Sequence, residues 1–250
     1  MDLDSDHPLR AAVFAVLGEK ELSEIPACKI LISSTIPPAS GLGSGAAVSA
    51  AIIRALSAFL GQRLSDEQVS MLTFQVEKIH HGTPSGIDNT VITYQKPIYY
   101  QKGNPFQFLS IAKPFFILIA DSGIPGQTLE AVQRVRQNWM NDPERYDSIF
   151  MSIGEISKKG KEFINTGSVG ELGLLMDENH KLLQDLDVSL PELDRLVDAA
   201  RDAGALGAKI SGGGLGGNII ALVNEGADQV AEALISTGAV NTIISPIPAT

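Results

Sequence analysis

One cysteine, Cys28, is all that this chain of 250 residues contains. An intramolecular disulfide and a metal site built from several thiolates are therefore excluded. Positive charge is also short. Nineteen Lys and Arg stand against 29 Asp and Glu, a formal net charge of −10. A general nucleic-acid binder would carry a basic footprint, so that class is set aside. An anionic substrate must be met by local donors and not by a global field. No apolar run reaches the length of a membrane span, and the N-terminus lacks a basic-then-apolar leader. Cytoplasmic residence, with no membrane or nucleic-acid partner, is the simple expectation. Aromatic residues make up only 6% while Gly reaches 24, a balance that suits closely packed helices and strands. With 44% apolar and 19% charged residues, the composition is that of a globular protein with a sizeable core. The phosphate-loop pattern G-x-x-x-x-G-K-[ST] is missing as well.

A different glycine turn is present. Pro37-Pro38-Ala39-Ser40-Gly41-Leu42-Gly43-Ser44-Gly45 follows a strand-like run at 28–34 and leads into an Ala-rich segment, 46–60. That segment has no Gly or Pro and reads as a strong helix closed by Gly61. A Gly/Ser turn opening a helix presents backbone N–H groups outward, and the helix dipole adds partial positive charge there. Such a turn suits a di- or triphosphate.

Periodicity and punctuation place the remaining elements. A helix is expected over 9–17 and a strand over 29–34. A further helix starts at Ser65, whose spacing to Gln68 matches a capping box, and runs towards Glu77. A Gly/Pro/Ser turn, 82–88, then precedes strand-like runs near 89–94 and 97–100. Lys113-Pro114 reads as a boundary, giving domains 1–112 and 113–250. After it, 115–120 is a short continuous apolar run of the buried-strand kind. Helices are expected over 127–138, 146–165, 169–183, 192–203 and 227–237. Strands are expected over 209–211, 218–223 and 240–247. This mixture has no regular βαβ count and points to an α+β class.

Two further segments carry chemistry. Glu77-Lys78-Ile79-His80-His81-Gly82-Thr83-Pro84-Ser85-Gly86-Ile87-Asp88-Asn89 joins a helix end to a turn that can fold two carboxylates towards one point. One carboxylate can hold Mg²⁺ on a phosphate, and the other can orient or deprotonate a hydroxyl. Taken singly, each is as simply a solvated helix-end Glu or a turn-capping Asp. Adjacent His80 and His81 do not share a helix face, so a transition-metal site is not expected. Lys209-Ile210-Ser211-Gly212-Gly213-Gly214-Leu215-Gly216-Gly217 sets five glycines between two strands. A tight hairpin needs only one or two, and glycines let a main chain approach a ligand closely.

In this order, the three blocks resemble the galactokinase/homoserine kinase/mevalonate kinase/phosphomevalonate kinase (GHMP) family. Asp121-Ser122-Gly123-Ile124-Pro125-Gly126-Gln127-Thr128 is similar to the segment that opens the family's C-terminal domain. The resemblance implies an N-terminal ribosomal-protein-like domain and a C-terminal ferredoxin-like α+β domain. It implies ATP and Mg²⁺ as cofactors and phosphorylation of a small-molecule alcohol. The acidic block looks like the branch of the family that phosphorylates mevalonate. Carried over, Pro38, Gly41, Leu42, Gly43, Ser44 and Gly45 would line the ATP phosphates. Glu77, with Ser44, would ligate Mg²⁺, and Asp88 would serve as base or orienter. His81, Ser85, Gly212, Gly213 and Gly214 would line the substrate pocket. The resemblance allows a homodimer. Gly45 stands where the family usually has a second Ser. Nothing in residues 1–27 matches the family's first, Lys-bearing motif. The expectation is an active protein that is longer at its N-terminus; the alternatives are another small-molecule kinase of the family, acting on phosphomevalonate, the mevalonate 3-position or a sugar, and a non-catalytic nucleotide-binding remnant.

Overall fold

The computed structural model describes residues 7–19, 27–34, 42–61, 63–81 and 84–250. The chain divides into two compact units, Met1–Phe108 and Leu109–Thr250.

In the first unit the described residues form α1 (Pro8–Glu19), α2 (Ser44–Phe59), α3 (Asp66–His81) and α4 (Ile87–Tyr94). A short antiparallel hairpin of β1 (Ile98–Tyr99) and β2 (Gln107–Phe108) follows. Helical spacing builds the core: Val69, Leu72 and Val76 of α3 meet Ala12 and Val16 of α1 and Ile53 and Leu56 of α2. The capping box forms in both directions. Gln68 N–H donates to Ser65 Oγ at 3.2 Å, and Ser65 N–H donates to Gln68 Oε1 at 3.0 Å. Arg54 of α2 ties the start of α3 to the end of α4, donating to Asp66 Oδ1 at 2.6 Å and to the Thr93 carbonyl at 2.9 Å. Tyr94, Phe106 and Phe108 stack edge-on or tilted, with centroids 5.4–5.7 Å apart, and pin the hairpin to the end of α4.

Two expected strands are not there. Residues 28–34 belong to neither sheet, and Leu31 is 85% exposed. A strand exists through ladder bonds to a neighbour, and apolar β-branched content alone does not supply one. Residues 89–94 are helical, inside α4. Thr90, Val91, Ile92 and Thr93 are all β-branched, which favours a strand locally. Burial at helical spacing overrides that preference: Asn89, Thr90 and Thr93 face inward, and Thr90 Oγ1 donates back to the Gly86 carbonyl at 2.7 Å. Asp88 therefore sits in the first turn of a helix and not in the preceding turn.

The second unit follows its sequence pattern closely. Its elements are β3 (Phe115–Asp121), α5 (Thr128–Asn141), α6 (Pro143–Thr166), α7 (Val169–Asp185), α8 (Pro191–Asp202), β4 (Gly207–Ser211), β5 (Asn218–Val223), α9 (Ala227–Thr237) and β6 (Asn241–Ile247). The strands form one antiparallel sheet in the order β4-β5-β3-β6. This is the ferredoxin-like arrangement, with four helices in its first crossover. Leu118 and Ala120 join Leu193 and Val197 of α8 and Val230 and Leu234 of α9 on one face. Phe115 turns the other way, to Leu172 and Met176 of α7.

Two details fix α7 on the edge strand β4. A Cβ on Gly173 would run into the Leu206 carbonyl, and one on Gly207 into the Gly173 carbonyl, so the chains touch backbone to backbone. Beside that contact, Asp177 Oδ1 accepts from Ala208 N–H at 2.8 Å and from Arg201 Nε at 2.7 Å. Arg201 Nη2 donates to the Ala208 carbonyl at 3.2 Å. Both outward backbone groups of Ala208 are thereby occupied. Among the described residues no helix is long and apolar enough to cross a membrane.

Candidate active site

Two helices of the first unit begin on left-handed glycines. Gly43, at φ 68°, heads α2, and Gly86, at φ 86°, heads α4; a glycine at the cap position has no side chain of its own to cap the helix. The first N–H groups of a helix have no partner within it and carry the positive end of its dipole. A Cβ built on Gly43 would lie 3.8 Å from Asp88 Cγ and 3.8 Å from Ile92 Cδ1. The head of α2 and the first turn of α4 therefore adjoin, with the Asp88 carboxylate between them. A positive φ, and a side chain that would stand over that carboxylate, both favour glycine at position 43.

Glu77 completes the group. It lies near the end of α3, 9% exposed, and accepts a hydrogen bond from the backbone N–H of Asn89 in α4. Burial pushes its carboxyl up to about 7. The nearby Asp88 carboxylate adds to the rise, and the Asn89 N–H opposes it. Asp88 itself is exposed. One carboxyl is thus buried and costly to ionise, and the other is open to solvent beside a helix head. Among the described residues no three His, Cys, Asp or Glu gather as a metal cluster. Mg²⁺ needs no such cluster, because it is commonly held by one or two carboxylates with water and phosphate oxygens.

The remaining candidates are placed as follows. Ser44 is the first residue of α2, with Leu42 half-buried before it and Gly45 exposed after it. Pro38 and Gly41 lie outside the described residues. The backbone of His81 ends α3, but its side chain, like that of His80, lies outside the described set. Ser85 is exposed, and its Oγ accepts from Ile87 N–H at 3.3 Å as part of the turn into α4. Gly212, Gly213 and Gly214 belong to the second unit, in the loop between β4 and β5. Gly212 has open space where a Cβ would be. Gly213 would meet the Thr128 side chain at the head of α5, and Gly214, at φ 90°, the Val188 carbonyl. Those two glycines let the loop pack on its own chain, and Leu215 N–H donates to the Val188 carbonyl at 2.8 Å.

Asn89 is the residue of this region to which sequence reasoning assigned no role. It is 5% exposed, and its Nδ2 donates to Ser70 Oγ at 2.9 Å and to the Ser70 carbonyl at 3.2 Å. A readable signal existed: Ser70, Thr73 and Glu77 form a polar stripe at helical spacing on α3, and all three are buried. A cavity of about 350 Å³ in the second unit, lined by Ala131, Val135, Trp139 and Phe150, offers no carboxylate.

Comparison with known proteins bears on this arrangement. The family described as "GHMP kinases N terminal domain" matches residues 9–96, and "GHMP kinases C terminal" matches residues 161–240. A mevalonate kinase of Thermococcus onnurineus is 42% identical over 217 residues, covering 84% of this chain and 64% of the relative. That of Thermococcus sibiricus is 40% identical over 235 residues, covering 92% and 69%. The chain thus spans about two thirds of the length of these curated relatives. Among solved structures, the Methanococcus jannaschii mevalonate kinase superposes with a TM-score of 0.81 at 29% identity. That match covers 99% of this chain and 76% of the other. The L. major mevalonate kinase in complex with R-mevalonate gives 0.80 at 28% identity, covering 97% and 77%.

Proposed function

The chain belongs to the GHMP kinase family, and from that premise we propose that it serves ATP-dependent phosphorylation of a mevalonate-type alcohol. The observation that carries the reading is the meeting of Gly43, Asp88 and Glu77 where two helices begin on glycine caps. The likeness to mevalonate kinases supports the choice of alcohol.

The residues fit Mg·ATP. Gly43 leaves open the space that a side chain would fill beside Asp88, and the N–H groups of Ser44 and Gly45 head α2 as anion donors. When bound, Mg·ATP supplies the transferable phosphoryl group. In this reading the turn of Pro38, Gly41, Leu42, Gly43, Ser44 and Gly45 holds phosphate oxygens. Glu77, assisted by Ser44, holds the cation, and ionising Glu77 fully is easier beside a cation than in its absence. Asp88, exposed at the head of α4, accepts a hydrogen bond from the alcohol hydroxyl and orients or deprotonates it. His81 and Ser85 wall the alcohol site; for Gly212, Gly213 and Gly214, which belong to the second unit, the family resemblance supports a substrate role. In-line phosphoryl transfer relies on such positioning and charge stabilisation more than on covalent help from the protein.

The test is alcohol-dependent ADP release across mevalonate, phosphomevalonate and a hexose. Release with mevalonate alone is expected. Release only with another alcohol would reassign the substrate, and release with none while Mg·ATP still binds would favour the non-catalytic nucleotide-binding alternative. Glu77→Gln should raise the Mg²⁺ needed for half-maximal activity. Asp88→Asn should bind ATP normally and turn over about 10²-fold or more slowly. A near-normal kcat in Asp88→Asn would remove its assigned role.

A further inference from the structure

We propose that Asn89 is a positioning residue for the Glu77–Asp88 pair, holding the first turn of α4 against α3 through its carboxamide and its backbone N–H. The proposal rests on the functional reading above and extends it to a residue with no assigned role.

The helix that carries Asp88 is weakly anchored by itself. At eight residues, α4 is too short to be stable without packing. It also enters from a left-handed glycine, which has no side chain of its own to cap it. The placement of its first turn must come from tertiary contacts, and Asn89 makes them at two levels of α3. Its Nδ2 reaches the hydroxyl and carbonyl of Ser70. Its N–H reaches the carboxylate of Glu77, seven positions further along the same helix face. One residue therefore sets both the lateral position of the turn and the carboxylate beside it. Asp88 is its immediate neighbour, so the direction of Asp88 is set by the same anchor.

The side-chain chemistry argues for placement over simple filling. Asn89 Oδ1 is buried and has no hydrogen-bond partner among the described residues. Burying an acceptor without a partner is unfavourable, and an apolar residue of similar size would avoid that penalty. What the carboxamide adds is a neutral donor aimed at Ser70. An Asp of the same shape would lose that donor and set a third carboxylate beside Glu77.

The experiment compares the parent chain with Asn89→Ala and with Ser70→Ala, which removes one acceptor and leaves the carbonyl. Three quantities are read: thermal midpoint, Mg²⁺ dependence of ATP binding by calorimetry, and kcat and KM for alcohol-dependent ADP release. For Asn89→Ala the expectation is a fall in kcat on the order of 10²-fold, as for a displaced reacting group. ATP KM should stay within about threefold, and half-saturating Mg²⁺ should rise about tenfold. Ser70→Ala should lower kcat about fivefold, the equivalent of one neutral hydrogen bond. Lower midpoints with parental kcat and parental Mg²⁺ dependence would overturn the proposal, because a merely structural residue behaves that way. If Asn89→Ala does not fold, Ser70→Ala decides by the same two readouts. A parent that binds Mg·ATP but transfers to no alcohol would refute the functional reading alone, and the Mg²⁺ arm would still judge Asn89. A parent that binds no nucleotide would overturn both.

Discussion

Replacing Gly173 by Ala is a sharp test of how α7 sits on the sheet. By helix propensity alone the change is favourable by about 1 kcal/mol. The structure reverses the sign. The new methyl would lie 2.5 Å from the Leu206 carbonyl carbon and 2.9 Å from Leu206 Cβ, and it would press harder still on the carbonyl oxygen. The obstacle is mostly backbone and cannot rotate aside, so α7 must lift from β4. Overpacking of this kind costs about 1–3 kcal/mol, and a rigid backbone obstacle puts it at or beyond the upper end. After the propensity gain, a net loss of about 2 kcal/mol remains. For a chain of this size that lowers Tm by about 6 °C. Gly154 is the internal control. It lies within α6 with nothing within 4 Å of its would-be Cβ, so Gly154→Ala should gain about 1 kcal/mol and about 3 °C. Thermal unfolding followed by circular dichroism, with both variants beside the parent, reads the two signs. A Gly173→Ala variant as stable as the parent would refute the backbone contact, provided Gly154→Ala shows its gain.

Three further outcomes are expected. Gly43→Val forces a β-branched residue to φ 68° and sets it over Asp88; Mg·ATP affinity should fall more than about tenfold, and unchanged calorimetric affinity in a folded variant would refute the phosphate assignment. His180 is buried, and burial holds its pKa below the usual 6.5 despite Asp194 Oδ1 at 3.1 Å, with Asp198 also raising it and Arg201 lowering it. The unfolded chain then binds the proton more readily, so stability should fall as pH drops below about 6.5, and His180→Gln should flatten that part of a urea-midpoint profile against pH. Arg201→Ala should cost about 1.5 kcal/mol, allowing for partial exposure of the pair, and should promote concentration-dependent association through the opened β4 edge, read by light scattering; a variant that associates no more than the parent and is equally stable would show the clamp to be idle.

Legibility in the sequence followed the reach of the interactions. The capping box at Ser65 and Gln68 and the helices of the second unit are specified by neighbours a few positions apart, strands β3, β4 and β5 show as short, mostly apolar runs between turn signals, and the ends of all of them fall close to expectation. The misread segments depend on distant partners. Residues 89–94 look like a strand until α3 offers a polar face to Asn89. Residues 28–34 have strand composition without a place in either sheet. At the site, the convergence of Gly43, Glu77 and Asp88 was foreshadowed by motif. The burial that separates Glu77 from Asp88 was not, because it arises from packing between two helices. Asn89 went unassigned because a buried amide at a helix head is indistinguishable in sequence from a surface turn residue.

The strand order of the second unit sets a timetable for synthesis. β3 is the first strand made, yet its neighbours are β5 and β6. Roughly a hundred residues separate β3 from β5, and more separate it from β6. At ribosomal rates of about 5–20 residues per second, the run Phe115–Asp121 spends about 5–20 s outside any ladder. It is a continuous apolar strand with both edges unpaired during that time, and the four helices that emerge meanwhile can shield its faces but not its backbone. Production yield should therefore depend on the speed of translation between β3 and β5 and on chaperones that hold extended apolar segments, while the finished fold, once β6 has closed the sheet, keeps no trace of that delay.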